Sequence, residues 1–111
     1  MKTYIQPGHA LTLLAPYAVL SGDGLLVGSI FGVATHDAAL GVEVETQLTG
    51  VLDLAKVASQ AWTAGAKVYW DNTAKRVTNV ASGNTLVGVA VLAVGGGADE
   101  TIGRVRLNGS F

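Results

Sequence analysis

Hydrophobic and polar residues alternate one by one along much of this chain, the period of a strand with one wet face. In Val42-Glu43-Val44-Glu45-Thr46-Gln47-Leu48-Thr49, the residues Val42, Val44 and Leu48 fall on one side and Glu43, Glu45 and Gln47 on the other. Lys67-Val68-Tyr69-Trp70-Asp71 alternates likewise and sends Val68 and Trp70 the same way. Asn72-Thr73-Ala74-Lys75 has turn composition and Arg76-Val77-Thr78-Asn79 resumes the pattern, which predicts a hairpin. Ser82-Gly83-Asn84 predicts the next turn. Thr85–Val94 is apolar at both parities, as in a strand covered on both faces, and Gly88 in its middle suggests a bulge or a close backbone approach. The last strand, Thr101–Leu107, turns Val105 and Leu107 inward and Arg104 and Arg106 outward. Near the start, Ala10–Leu14 and Leu25–Thr35 read as strands separated by Ser21-Gly22-Asp23-Gly24, with Gly28 and Gly32 bending or splitting the second.

One stretch has a different period. Leu54, Val57, Ala58, Ala61 and Trp62 fall at i, i+3, i+4, i+7 and i+8, with Asp53 as a candidate cap and Gly65 as a stop. The preferred reading is a strand over Val51–Lys56 followed by one helical turn, because Val51-Leu52 continues a strand across Gly50. A short helix over 54–62 is the alternative. Either way the prediction is an all-β domain spanning residues 1–111. It is a small compact barrel or sandwich of short antiparallel strands, with at most one short helix.

Composition then changes the picture. Only 14% of the 111 residues are charged while 50% are hydrophobic, against roughly 25% charged in an ordinary soluble domain. A small domain has much surface for its volume. The deficit of charge therefore suggests a surface covered by other subunits or a large partner. A formal net charge of −1 gives no global field to steer the chain onto nucleic acid or an anionic membrane. The absence of cysteine excludes disulfides and thiolate chemistry. The uncharged stretch Val77–Ala98 is interrupted by Asn79, Ser82, Gly83, Asn84 and a glycine triplet, so it lacks the unbroken apolar length of a membrane span. Gln6-Pro7-Gly8-His9 and Pro16 likewise deny the amino terminus the apolar core of a secretory signal.

Catalytic chemistry finds no foothold. No glycine is followed directly by lysine, so the phosphate-cradling loop of an ATP-driven enzyme is missing, and Gly95-Gly96-Gly97 reads as a flexible connection. His9 and His36 are the only histidines, and His36-Asp37 alone falls short of a zinc ligand set. Gly28-Ser29-Ile30-Phe31-Gly32 has its glycines at the wrong offset for a nucleophile elbow. Glu43 and Glu45 share a face as a glycosidase pair would, but alternating glutamates are the ordinary mark of a solvated strand edge. The expectation is a protein with no catalytic residues, no metal and no cofactor. One alternative is a small β-barrel that binds single-stranded nucleic acid. It would use Arg104, Arg106, Lys75 and Arg76 with the aromatics Trp62, Tyr69 and Trp70. Sparse basic residues and the negative balance argue against it, since phosphate binding scales with the number of contacts. Arg104 and Arg106 could equally meet an acidic partner surface.

Six segments, in order, carry a family resemblance. They are Tyr4–Gly8, Ser21–Ala34, Gly50–Lys56, Ala61–Asp71, Leu86–Ala90 and Gly103–Leu107, each weak alone and specific only as an ordered set. Together they resemble the small tailed-phage and prophage capsid cement, or decoration, proteins, sometimes labelled recombinase-like. The missing phosphate loop argues against that label. Relatives often carry proline where this chain has Ala55, which leaves the helix reading open here. The resemblance implies a β-rich structural protein at the virion capsid surface, present in the host cytoplasm during assembly. It would bind the major capsid protein as a homotrimer and carry no catalytic residues. The unpatterned, proline-bearing segment 1–9 is the candidate for an extended arm that pairs with a neighbour. The expected partner contacts are Tyr4, Ile5, Gln6 and Pro7, with Arg104 and Arg106. Neither membrane nor nucleic acid is expected as a partner.

Overall fold

A computed structural model describes residues 9–108. These residues form strands β1 (Ala10–Leu14), β2 (Gly24–Val27), β3 (Ile30–Ala34), β4 (Glu43–Gln47), β5 (Thr49–Ala55), β6 (Lys67–Asp71), β7 (Arg76–Thr78), β8 (Thr85–Ala90) and β9 (Ile102–Asn108). They contain no helix. Two antiparallel sheets result, with strand orders β1-β4-β3-β2 and β5-β9-β8-β6-β7. The all-β prediction holds.

Local sequence explains most of the turns. Val27 pairs with Ile30 across the two-residue turn Gly28-Ser29, where Gly28 sits at φ +60°. A left-handed residue is what a tight hairpin needs, and glycine enters that region without a steric penalty. Between β6 and β7, the Asp71 carboxylate accepts the N–H groups of Thr73 and Ala74 at 2.9 and 3.0 Å. That side-chain turn closes the hairpin expected from residues 67–79. The chain changes sheets at Leu48, which is buried between β4 and β5.

Two apolar clusters fill the interior. The larger joins Phe31 and Val33 of the first sheet to Trp62, Val68, Trp70, Val77, Val87 and Val105 of the second half of the chain. The smaller holds Ala15, Val19, Leu25, Ala34 and Val44 beneath the first sheet. Phe31 and Trp70 meet with ring centroids 5.0 Å apart at a tilt of 47°, a geometry that satisfies the ring quadrupoles. Gly24 makes room for this contact, because a Cβ there would lie 2.8 Å from the Trp70 ring. Both indoles are satisfied: Trp62 Nε1 donates to Gln60 Oε1 at 2.8 Å and Trp70 Nε1 to Asn72 Oδ1 at 3.0 Å.

Three expectations need correction. The segment after Val51–Lys56 makes no helical turn, because its backbone donors are taken elsewhere. Val57 N–H donates to Val77 O, Ser59 N–H to Gly97 O and Trp62 N–H to Val94 O. These cross-chain bonds replace the i−4 bonds a helix would use, and tertiary pairing overrides the 3.6-residue period. The strand expected over Thr85–Val94 ends at Ala90, leaving Val91 and Leu92 exposed. Val42 precedes β4 and is half exposed, so it does not share the burial of Val44 and Leu48. By contrast β8 is an interior strand of its sheet, as its two-sided apolarity required. The register shift between Val68 and Tyr69 opposite it marks an irregularity near Gly88.

Gly88 supplies a close approach. A Cβ at this position would stand 2.1 Å from the Arg106 carbonyl oxygen, inside the β8–β9 ladder. Gly88→Ala should therefore lower stability by about 1–3 kcal/mol, read from the midpoint of urea unfolding. Gly96→Ala, whose added Cβ would find its nearest neighbour at an ordinary 3.6 Å, should stay within about 0.5 kcal/mol of the parent chain. Equal effects at the two sites would contradict the packing described.

Candidate interaction surface

Antiparallel register decides which side chains share the outside of each sheet. On the second sheet Lys67 lies opposite Val89, Val89 opposite Arg106, and Arg106 opposite Val51. These four make one row across four strands, mixing two cations with two valines. In the next row Arg104 faces Asp53. Its Nε and Nη2 donate to the two carboxylate oxygens at 2.9 and 3.2 Å. The guanidinium hydrogen bond holds the Asp53 carboxyl below the usual carboxylate range, and Asp53 raises Arg104 in return. This is the one ion pair among the described residues. Of the predicted contacts, then, Arg104 has an internal partner, while Arg106 is exposed and makes no ion pair among the described residues. Tyr4, Ile5, Gln6 and Pro7 lie outside the described residues.

The first sheet presents a different face. Leu14 pairs with Glu43 and Thr12 with Glu45, and the Thr12 hydroxyl donates to Glu45 Oε2 at 2.9 Å. Both glutamates are exposed. They stand on an interior strand rather than the solvated edge expected of them. Leu14, Leu20, Leu40, Val51, Leu92 and Ile102 are each at least half exposed. So many large apolar side chains on so small a body point to a surface that is covered in use.

Of the aromatic platform required for nucleic acid, neither tryptophan reaches that surface and Tyr69 is only partly exposed. Trp62 and Trp70 are each only 2% exposed, and a buried indole cannot stack on a base. Lys75 Nζ donates to the Asn72 carbonyl and side-chain oxygens and sits 4.2 Å from the centre of the Tyr17 ring. Lys56, which the alternation of β5 did not single out, is fully buried. Its Nζ donates to the carbonyls of Val57 at 2.8 Å and Glu100 at 3.0 Å. Burial pushes its pKa down, partly opposed by the Glu100 charge. This cation ties the connection before β9 to the end of β5.

A cleft of about 480 Å³ opens between Tyr17, Asp23 and Gly24 on one side and Asp53, Trp70 and Lys75 on the other. It pairs no nucleophile with a base. The Tyr17 hydroxyl donates to Gly24 O at 2.7 Å. His36 accepts the Glu45 N–H at Nε2 (3.1 Å) and faces the Asp37 carbonyl at Nδ1 (3.0 Å), which fixes it as the Nδ1–H tautomer. Asp37 accepts Ser21 N–H at 2.8 Å. Both residues serve the loops around them, and no group of three or more His, Asp or Glu among the described residues is placed to hold a metal.

Two sheets with partly apolar, sparsely charged outer faces define a protein that acts through the surface it presents. The model of the phage cement protein family matches residues 5–107, and the chain belongs to that family. Its role is structural and non-enzymatic, the stabilisation of a phage capsid shell, with which it is associated. No curated protein and no solved structure matches the chain.

Burial first, and the nearby Asp23 charge second, raise the Tyr17 pKa from 10.0 to about 12. A value raised on folding contributes stability that is intact below the unfolded value and lost as pH climbs through the folded one. Resistance to urea should accordingly fall from pH 10 to pH 12. In Tyr17→Phe that decline should flatten, at a cost at neutral pH of about 1 kcal/mol from the lost hydrogen bond. Identical alkaline slopes in the two proteins would contradict the assignment.

Proposed function

We propose that the protein binds the outer surface of the capsid and bridges neighbouring copies of the major capsid protein, acting as a homotrimer. Supporting this reading most directly is the exposed apolar area on both sheets, joined to membership of the cement family. Each clamp across a subunit boundary adds binding free energy to the closed lattice alone, and so opposes its rupture by mass action. An interface of this kind buries well over about 1,000 Å², more than one exposed leucine or valine supplies. Tyr4, Ile5, Gln6 and Pro7 are proposed as part of an arm that pairs with a neighbour or with the shell by strand addition, and residues 1–111 as one domain. Arg106 is the better placed of the two arginines for a partner, because Asp53 already occupies Arg104. Assembly takes place in the host cytoplasm.

The single-stranded nucleic-acid reading loses its support in the burial of both tryptophans. Mixed with expanded shells of its own phage, the chain should co-sediment and raise the temperature at which the shells rupture. A variant lacking residues 1–8 should bind more weakly. Retention of single-stranded DNA at low salt should be absent, in the parent chain and in Arg104→Ala/Arg106→Ala alike. Failure to bind any shell would overturn the proposal, and salt-sensitive DNA retention would revive the alternative.

A further inference from the structure

Four exposed charges outside the Asp53–Arg104 pair stand on the outer faces of the two sheets: Glu43 and Glu45 on one, Lys67 and Arg106 on the other. Lys67 and Arg106 flank Val89 on the second sheet, with Val51 completing the row. Leu86 and Gly88 join them around a shallow groove of about 280 Å³. Lys67 and Arg106 make no ion pair among the described residues. On the first sheet Glu43 and Glu45 project beside Leu14, and they too make no ion pair there. Around Val89 the second sheet is therefore apolar and basic, and around Leu14 the first sheet is apolar and acidic. Glu43 and Glu45 stand about 7 Å apart along their strand, and Lys67 and Arg106 about 9.5 Å apart across two strand spacings. Long, flexible lysine and arginine side chains close that difference.

We propose that these two faces are the halves of a head-to-tail contact between copies of this chain, with Glu43, Glu45 and Leu14 of one copy seated on Lys67, Arg106 and Val89 of the next. Two different, complementary patches on one chain form a heterologous interface, which closes into a ring when its rotation allows. A self-matching interface would instead put like charges together, Glu43 and Glu45 against their own copies, which disfavours it. The inference rests on the cement reading for its ring-shaped assembly, yet its contact is separate from any made with the shell.

Charge reversal tests it. In equilibrium sedimentation, Glu43→Lys/Glu45→Lys and Lys67→Glu/Arg106→Glu should each weaken self-association by at least about tenfold. The chain carrying all four changes restores complementarity and should associate as the parent does. Mixing the two double variants should restore association as alternating heterodimers and longer open chains, because one has two basic faces and the other two acidic ones. It should give no three-membered rings, since two kinds of subunit cannot alternate around an odd ring. Circular dichroism checks that each chain is folded. Should a reversal unfold its chain, Glu43→Gln/Glu45→Gln keeps the side-chain shape and should abolish the salt sensitivity of association. Association unchanged by both reversals, a folded four-change chain that stays monomeric, or a neutral variant with undiminished salt sensitivity would each overturn the contact. A parent chain that remains monomeric yet binds shells would overturn it too, while leaving the cement function standing. Rings that form as described but ignore shells would do the reverse.

Discussion

The contact between Phe31 and Trp70 is what makes two small sheets into one body. Four strands on one side and five on the other would each bury little apolar surface alone, and small sheets are marginal without a covered face. Phe31 leaves the first sheet to join the larger cluster, and Trp70 reaches it past a glycine. The smaller cluster under the first sheet, five buried residues with Leu25 the largest among them, gains from being attached to a firmer neighbour. Gly103 repeats the device on the other tryptophan. A Cβ there would lie 2.3 Å from the Trp62 ring, so the indole lies flat against strand backbone. The fold spends its two largest side chains on the interior, which leaves neither tryptophan to act as an external stacking platform.

That allocation explains the surface. With both tryptophans inward and Lys56 buried, the outside has few charges left, and one of its cations is matched by Asp53. What remains exposed is leucine, valine and isoleucine with a few ions between them. Such a face is tolerable in water only in moderate amounts, and it becomes favourable when another protein covers it. The composition and the family therefore describe the same property at two scales.

Strand alternation was legible in the sequence wherever one face is wet. Val68 and Trp70 inward, Arg104 and Arg106 outward, the hairpin at Asn72–Lys75 and the glycine at 88 could be placed from neighbours alone. The helical periodicity of Leu54, Val57, Ala58, Ala61 and Trp62 misled, because the competing partners, Val77, Val94 and Gly97, lie 20–38 residues further along than the donors they engage and leave no local mark. The burial of Lys56 was invisible for the same reason: its acceptors include the Glu100 carbonyl, on a connection that reads as flexible. Of the candidate contacts, both arginines were seen to face outward, but the pairing of Arg104 with Asp53 needs the β5–β9 register. In the sequence Lys67 and Glu43 read as the polar side of their strands, and the glutamate pair as a solvated edge rather than a catalytic one. Their arrangement on two faces emerges once the strand orders are known.

With a formal net charge of −1, long-range attraction contributes little to finding a partner. At physiological salt, exposed charges are screened beyond about 8 Å, so the glutamates and the Lys67–Arg106 pair act only once surfaces already touch. Their use is then to choose orientation, while the apolar residues among them supply the affinity. A surface built this way binds weakly as a single copy. In the proposed ring, several such faces would meet a lattice together, and each further contact would form at an effective concentration set by the ring itself. On that proposal the sparse charge suits a repeating unit, because specificity would come from register between many matched faces.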